Sequence, residues 1–400
     1  MPDHCETSEH TVCLPEPDLD HSGARSIVLV TGGMDCGGAQ RVLADMANYW
    51  VERGWRVMLA TWSGPELPDF YALSPKILRE WLHVKPRRGS VIGAVRVFAN
   101  RIAILRALLR QAKPDVVLSF IDVSNILTIL ATLGLGVRVV VAERTHPALN
   151  DTVSRPWKVL RRLCYSWSDQ VVAQTRDAAA WLERRCKSPV LVIPNFLRAL
   201  PQIALPREFL IIAVGRLTSE KGFDVLLEAF ARVRARFPDW RLCIIGEGPE
   251  RRALTERIAE LDLRGRVVLL GEIRDVDTWM ARAALLVHPS RREGFPNAVL
   301  EGMGMGVAVI CADCRSGPAE LITDGVNGRL VPVDNLEVLT RVMSELMTDA
   351  KLRERLGAQA TKVRRDYAQS LLMKKWETCL APPTANKIDK PVARANPASR

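Results

Sequence analysis

The sequence has no stretch that reads as a secretion signal or a membrane span. Residues 1–25 carry Asp3, Glu6, Glu9, Glu16, Asp18 and Asp20, with no basic start and no apolar segment. The expectation is a disordered acidic leader, not a signal peptide. The most apolar segment, Val116–Val137, is interrupted by Asp122, Asn125, Gly134 and Gly136. A spanning helix needs ~20 predominantly apolar residues, so strand–turn–helix is the better reading. Nine cysteines, an odd number, are scattered from Cys5 to Cys379, which fits a reduced, intracellular chain. Cys311 and Cys314 form one CxxC, but no second pair and no nearby His completes a zinc set. Also missing are a Walker phosphate loop and any RRM, KH or helix-turn-helix signature, so neither a P-loop NTPase nor a nucleic-acid binder is indicated.

What is present is an ordinary globular mixture, 48% hydrophobic and 25% charged, with a net charge of +11. That mixture excludes a collagen, a coiled-coil rod or a mostly disordered chain. Its 400 residues exceed what one core supports, and at ~100–200 residues per domain two or three domains should meet at a cleft. Short β-branched runs alternate with helical patterns, the mark of parallel α/β domains. They fall at Ile27–Val30, Arg56–Trp62, Asp115–Phe120, Arg138–Ala142, Gln170–Ala173 and Val190–Ile193, then at Phe209–Val214, Arg241–Ile245, Arg266–Leu270, Leu285–His288, Val307–Cys311 and Gly328–Val331. Each half can build its own doubly wound sheet. We therefore expect a first domain over 26–195, a linker over 196–207 punctuated by Pro201 and Pro206, and a second domain over 208–380. The last long helical pattern, Leu336–Leu380, should return to the first domain, and the Pro-rich tail 381–400 should be disordered.

Two segments carry candidate chemistry. Strand Phe209–Val214 runs into Gly215-Arg216-Leu217-Thr218-Ser219-Glu220-Lys221-Gly222, with a helix expected from Phe223. Cations flanked by glycines before a helix N-terminus suit a diphosphate: Arg216 offers a planar fork, Lys221 a point charge, and Gly222 lets backbone N–H groups approach. A solvated charged loop would look the same in isolation. After strand Leu285–His288 comes Glu293-Gly294-Phe295-Pro296-Asn297-Ala298-Val299-Leu300-Glu301. Pro296 fits a first helical turn, which leaves Glu293 in the loop and Glu301 inside the helix. Such a pair could grip hydroxyls at opposite ends of a ligand whose phosphates rest on the helix N-terminus. Glu301 alone also reads as a helix-surface residue, and His288 as a packed strand-end histidine.

Taken with Gly215-Arg216 and Lys221-Gly222, Glu293-x7-Glu301 resembles the EX7E signature of the retaining, GT-B-fold glycosyltransferases of family 4. Gly37-Gly38-Ala39-Gln40, Gly246-Glu247-Gly248-Pro249 and Ser316-Gly317-Pro318-Ala319-Glu320 stand in the family's order, and the resemblance covers residues 26–380. It implies two Rossmann-like domains facing across a cleft. It also implies that Arg216 and Lys221 bind the donor diphosphate and stabilise the leaving charge, and that Glu301 holds the ribose. Glu293 would bond donor-sugar hydroxyls, helped by the backbone around Phe295, Pro296 and Asn297, while Gly37, Gly38 and Gly215 permit close approach to phosphate. Retention in this family is usually explained by front-face attack, with the leaving phosphate taking the acceptor proton. His146 or Arg144, in Glu143-Arg144-Thr145-His146-Pro147, would line the acceptor side. Asp275-Val276-Asp277 resembles the metal-binding DxD of the other glycosyltransferase fold, but its place before a helix makes Asp275 an N-cap, and no metal or other cofactor is expected.

The positive charge is concentrated. Ten basic residues and one acid lie between Lys76 and Lys113. On a helix Val91–Gln111, Val95, Phe98, Ile102, Leu105 and Leu109 share one face and Arg96, Arg106 and Arg110 the other, with Arg101 on the apolar side. A basic-aromatic patch follows at Arg155, Trp157, Lys158, Arg161 and Arg162. An ordinary helix with a basic solvated face would read the same way. The functional reading is peripheral contact with the anionic cytoplasmic face of the cell membrane through Lys85, Arg87, Arg88, Arg96 and Arg106. The function implied is transfer of a hexose or N-acetylhexosamine from a nucleotide sugar, UDP being the family's commonest donor nucleotide, to a glycan on a polyprenyl-diphosphate lipid in polysaccharide assembly. A GT-B-fold nucleotide-sugar epimerase and a non-catalytic membrane scaffold remain as rival readings.

Overall fold

β-branched runs alternate with helices throughout the computed structural model, which describes residues 25–83, 91–150, 153–203 and 205–382. The expected leader up to residue 24 and the tail from 383 lie outside the described residues. In the first half, the strands are β1 (Ser26–Thr31), β2 (Arg56–Thr61), β3 (Leu78–Trp81), β4 (Val116–Phe120), β5 (Arg138–Ala142), β6 (Gln170–Ala173) and β7 (Val190–Val192). They form one parallel sheet in the order β3-β2-β1-β4-β5-β6-β7. Its helices include α1 (Gly38–Glu52), α2 (Val91–Ala112), α3 (Asp122–Thr132), α4 (Arg155–Cys164) and α5 (Arg176–Glu183). Strand β1 is buried at every position, as a parallel strand covered on both faces must be.

The second half repeats the plan with β8 (Glu208–Val214), β9 (Arg241–Ile245), β10 (Val267–Gly271), β11 (Ala283–His288), β12 (Ala308–Ala312) and β13 (Arg329–Val331), ordered β10-β9-β8-β11-β12-β13. Helices α6 (Phe223–Val233), α7 (Arg251–Glu260), α8 (Val276–Arg282) and α9 (Asn297–Gly304) stand around it. Phe223, Leu226, Leu227, Phe230 and Val233 of α6 are buried, the stripe an amphipathic helix turns to a sheet. In both sheets the strand order reverses beside the first strand, so the crevices between β1 and β4 and between β8 and β11 open at the carboxyl ends.

Two elements differ from expectation. β3 is charged and short, Leu-Arg-Glu-Trp, and pairs as an edge strand on β2; only that edge position makes it a strand. The pattern Leu336–Leu380 is four helices, not one, ending at Gln369–Leu380. One break falls at Asp349, whose side chain accepts the Leu352 N–H at 2.9 Å and so caps a new helix. The last helix buries Leu372, Met373, Trp376, Cys379 and Leu380 in the first domain's core beside Leu43, Met46 and Trp50. At ~1.5–3 kcal/mol per large buried side chain, that docking holds the chain's end on the first domain. The outgoing linker and this returning segment run side by side, the Leu197 N–H donating to the Tyr367 carbonyl at 2.7 Å. The domains are therefore joined twice at one place.

Candidate active site

The carboxyl end of β8 leads into Gly215 and Arg216, followed by a single turn, Ser219–Lys221, and Gly222. Gly222 has φ +65°, and a Cβ there would stand 2.2 Å from the Pro289 carbonyl oxygen. Only glycine fits this left-handed position against the end of β11. Gly246, after β9, has φ +142°, and its Cβ would meet the Gly215 oxygen at 1.9 Å; that of Gly248 would meet the Leu217 oxygen at 2.4 Å. The Gly246-Glu247-Gly248 motif thus exists because two loops touch backbone to backbone. Gly246→Ala should cost about 1–3 kcal/mol and displace the Gly215–Arg216 loop, read as a lower unfolding temperature together with weaker nucleotide binding.

Lys221 reaches Glu293. Its Nζ donates to Glu293 Oε1 at 2.5 Å, Ser290 Oγ donates to the same oxygen at 2.6 Å, and His288 Nε2 lies 2.6 Å from it. Burial would push this carboxyl's pKa up, but the Lys221 ammonium and His288 outweigh burial and hold it well below the usual carboxylate range. Glu293 is therefore an ionised, rigidly aimed carboxylate at neutral pH. His288 is buried as expected of a strand-end histidine, yet it also orients the candidate carboxylate.

Phe295 is buried, its ring 5.9 Å from that of Tyr367. Pro296 stands at the N-cap of α9, one position before the first helical turn expected for it. Asn297 Nδ2 donates to the Gly38 carbonyl at 3.3 Å, and its Oδ1 accepts from Asn195 Nδ2 at 2.6 Å. The glycine loop of the first domain, Gly37-Gly38, is thereby held against the N-terminus of α9. Glu301, one turn deeper in α9, is 5% exposed, so it is no surface residue; it pairs with Arg41 of α1, and Arg198 of the linker lies 3.9 Å away. Arg216 is more open and points across the cleft to Asp35, at 4.0 Å.

On the opposite wall, His146 is buried. Its Nδ1 accepts the Ala148 N–H at 3.2 Å and its Nε2 lies 3.2 Å from an Asp177 oxygen. Arg315 of the second domain holds the same Asp177 at 2.8 Å. His146 is thus not among the groups that converge on Glu293; its side chain faces α5. Arg144 is buried over the Phe120 ring and bonds Asn195; desolvation lowers its pKa to about 9. A Cβ on Gly294 would stand 2.3 Å from the Arg144 oxygen, so the acceptor-side loop packs directly on the residue after Glu293.

Residues 200–363 match the family model Glycosyl transferases group 1, and residues 36–198 match Glycosyltransferase Family 4. An enzyme of Campylobacter jejuni, N-acetylgalactosamine-N,N'-diacetylbacillosaminyl-diphospho-undecaprenol 4-alpha-N-acetylgalactosaminyltransferase, is 30% identical over 268 residues, 62% of this chain and 71% of that one. The chain belongs to the group 1, family 4 glycosyltransferases. A second C. jejuni enzyme, named as an alpha-1,4-N-acetyl-D-galactosaminyltransferase of a diNAcBac-PP-undecaprenol glycan, is 25% identical, covering 89% of this chain and 98% of that one. Among solved structures, HepE of Anabaena in complex with UDP and glucose superposes with a TM-score of 0.73 at 18% identity, covering 88% of this chain and 98% of that one. The fold is GT-B.

Several residues of the glycosyltransferase's cleft carry no obvious sequence signal. Arg198, Ser290 and Asn195 are isolated polar residues in the sequence. Arg41 could have been found, because it lies three residues after Gly38 in α1, on the same helix face as the glycine loop. Asp275 caps α8, accepting the Thr278 N–H at 3.2 Å, and Asp277 pairs with Arg198. Of the basic residues expected at a membrane, Lys85, Arg87 and Arg88 lie outside the described residues. Arg96 is exposed. Arg106 departs from expectation: it donates to the carbonyls of Ala131 at 2.9 Å and Leu133 at 2.6 Å. The unpaired carbonyls at the C-terminal end of α3 draw it in, so it does not present a free charge. Val95, placed with the apolar side, is 60% exposed. Among the described residues, no helix is long and apolar enough to cross a membrane.

Proposed function

We propose that this glycosyltransferase moves a hexose or N-acetylhexosamine from a UDP-sugar, with retention, to a glycan carried on a polyprenyl diphosphate in surface polysaccharide assembly. The observation that carries the reading is the Lys221–Glu293–His288 cluster seated between the Gly215 loop and α9, with Gly38 held at the start of α9 by Asn297. Lys221 and Arg216 would neutralise the diphosphate as it leaves, Glu293 would orient the donor sugar, and Glu301 would take the ribose hydroxyls. Backbone groups around Phe295, Pro296 and Asn297 would meet the sugar, and Gly37, Gly38 and Gly215 leave room for phosphate. Charge on the leaving group is thus balanced by side chains without a metal ion, and the departing phosphate serves as the acceptor's base. His146 would shape the acceptor wall from its fixed place between Ala148 and Asp177. The C. jejuni relatives named for diphospho-undecaprenol acceptors, and the UDP bound to HepE, support the acceptor and donor classes. An acceptor of that kind would bring the enzyme to the cytoplasmic face of the membrane, where Arg96, exposed on α2, would serve as a peripheral contact.

Calorimetric titration with UDP, GDP and ADP tests the nucleotide assignment. UDP should bind best, and Glu301→Ala should weaken it by about 10–100-fold, the loss of hydrogen bonds to a charged group at ~1.5–3 kcal/mol. Because Glu301 already pairs with Arg41 of the first domain, nucleotide entry is coupled to that contact between domains. Preference for GDP or ADP would keep the enzyme class and replace the donor.

A further inference from the structure

The Lys221–Glu293 pair has a neighbour of opposite sense. Glu220 and Arg292, the residues just before each member, also pair: Arg292 Nη2 donates to Glu220 Oε1 at 2.9 Å. The Arg291 N–H donates to the Glu220 carbonyl at 2.8 Å. The turn Ser219–Lys221 is therefore fastened to the loop after β11 by two ion pairs and a backbone bond. Arg291 keeps its side chain within the second domain, on the Ser219 carbonyl and on Asp224 and Asp334, each at 2.7 Å. Arg292 reaches further.

Its Nη1 crosses the cleft and donates to the Leu149 carbonyl of the first domain at 3.0 Å. Leu149 closes a tight turn on His146: its own N–H donates to the His146 carbonyl at 2.9 Å, and the Ala148 N–H to His146 Nδ1 at 3.2 Å. One half-buried guanidinium thus holds the donor-side turn and the acceptor-side loop together. A planar fork suits that task, because its N–H groups diverge at fixed angles. The second domain also meets this loop through Gly294, against the Arg144 carbonyl, and through Arg315, by way of Asp177. Those two contacts come from residues next to α9 and β12; the one from Arg292 leads back to the Lys221 turn.

We infer that Arg292 is a positioning residue that passes nucleotide occupancy at Lys221 to the acceptor-side loop. The inference rests on the proposed binding of the donor diphosphate by Lys221. A diphosphate drawing on the Lys221 ammonium fixes the Ser219–Lys221 turn, and Glu220 with it. Arg292, paired to Glu220, then holds the Leu149 carbonyl more firmly. The acceptor's place thus firms when the donor arrives, which keeps the two substrates in register. Arg292 touches neither reacting group in this scheme; it acts through the loop. The coupling is a free energy shared between two sites, so nucleotide alone reveals it.

The test is hydrogen–deuterium exchange of the full chain in wild type, Arg292→Ala and Glu220→Ala. Each is measured without nucleotide and with a saturating amount of whichever of UDP, GDP and ADP binds best by calorimetry, UDP being expected. Unaltered exchange in β1 shows that a variant is folded. Without nucleotide, Arg292→Ala should speed exchange of the Ala148, Leu149 and Asn150 amides by about tenfold or more, the loss of one bond from a charged donor. In wild type, UDP should slow those amides by about fivefold or more. Both variants should lose that slowing while residues 215–222 still respond to UDP. Glu220→Ala discriminates best, because it leaves the Arg292–Leu149 bond in place; a merely structural Arg292 would keep the response there. Unchanged loop exchange in Arg292→Ala, or a UDP response at 148–150 that persists in either variant, would overturn the inference. So would loss of nucleotide binding in both variants, which would put the pair in the donor site itself. Wild type that binds nucleotide without a loop response removes only this link, whereas folded wild type that binds none of the three removes the proposed donor as well.

Discussion

Glu293→Gln should lower sugar transfer by about 10²–10³-fold, the loss that follows removal of one preorganised electrostatic group from a reaction centre. Three neighbours converge on Glu293 Oε1, so the amide changes charge without changing shape, and Lys221 and His288 lose their common counter-charge. The loss should appear in kcat, measured as sugar transferred at saturating donor. Lys221→Ala should cost a similar factor, and the double variant little more than either alone, because the two act as a unit. The pH behaviour has a definite sign. A carboxyl held below its unfolded value contributes stability above the ordinary carboxylate range and loses it only as pH falls through the depressed value. Between pH 5 and 9 Glu293 should therefore add no step to the pH–rate profile. A Gln variant with full turnover would make the cluster purely structural.

Arg161→Met should lower the first domain's stability by about 3–5 kcal/mol, the cost of leaving a buried charge without its partner. Arg161 and Asp122 are both nearly inaccessible and pair at 3.0 Å, and Arg161 also donates to the Pro147 carbonyl at 3.1 Å. Beside them, burial and the Asp122 charge push the Glu143 carboxyl well above its usual pKa, against the smaller pulls of Arg161 and Tyr165. Arg161 stands 3.0 Å from Asp122 and 3.7 Å from Glu143, a single cation between two buried carboxyls. A carboxyl that keeps its proton in the folded state contributes most at low pH and loses that contribution as pH rises above the ordinary carboxylate range towards the folded value. Thermal unfolding at pH 5 and pH 8 checks both points. Arg161→Met should lower the first domain's transition at each pH, and Glu143→Gln should shrink the difference between them. Because the Arg161–Pro147 bond anchors the loop bearing His146, Arg161→Met should also raise the KM for acceptor more than that for donor.

Much of the architecture was legible in local patterns. The β-branched runs marked all but one of the strands, because a parallel strand buried on both faces has to be written in Val, Ile and Leu. β3 escaped because an edge strand needs no such composition. Gly215-Arg216, Lys221-Gly222 and Glu293-x7-Glu301 could be found because each lies where a strand ends and a helix begins, and a phosphate site there demands glycines and charge within a few residues of each other.

Chain order alone determined two doubly wound sheets, the loops at their carboxyl ends and the charged residues on those loops, since periodicity and turn chemistry are local. Tertiary structure decided which of those charges remain free. Folding brought His288 and Ser290 onto Glu293, Arg41 onto Glu301 from another domain, and Arg106 onto the end of α3, pairings between residues as far apart as 260 positions. It also left Val159, Leu163 and Trp167 of the α4 segment uncovered, although their spacing equally suits a buried stripe. A side chain's partner depends on which surfaces meet, and that is settled by the packing of whole elements, not by the residues next to it in the chain.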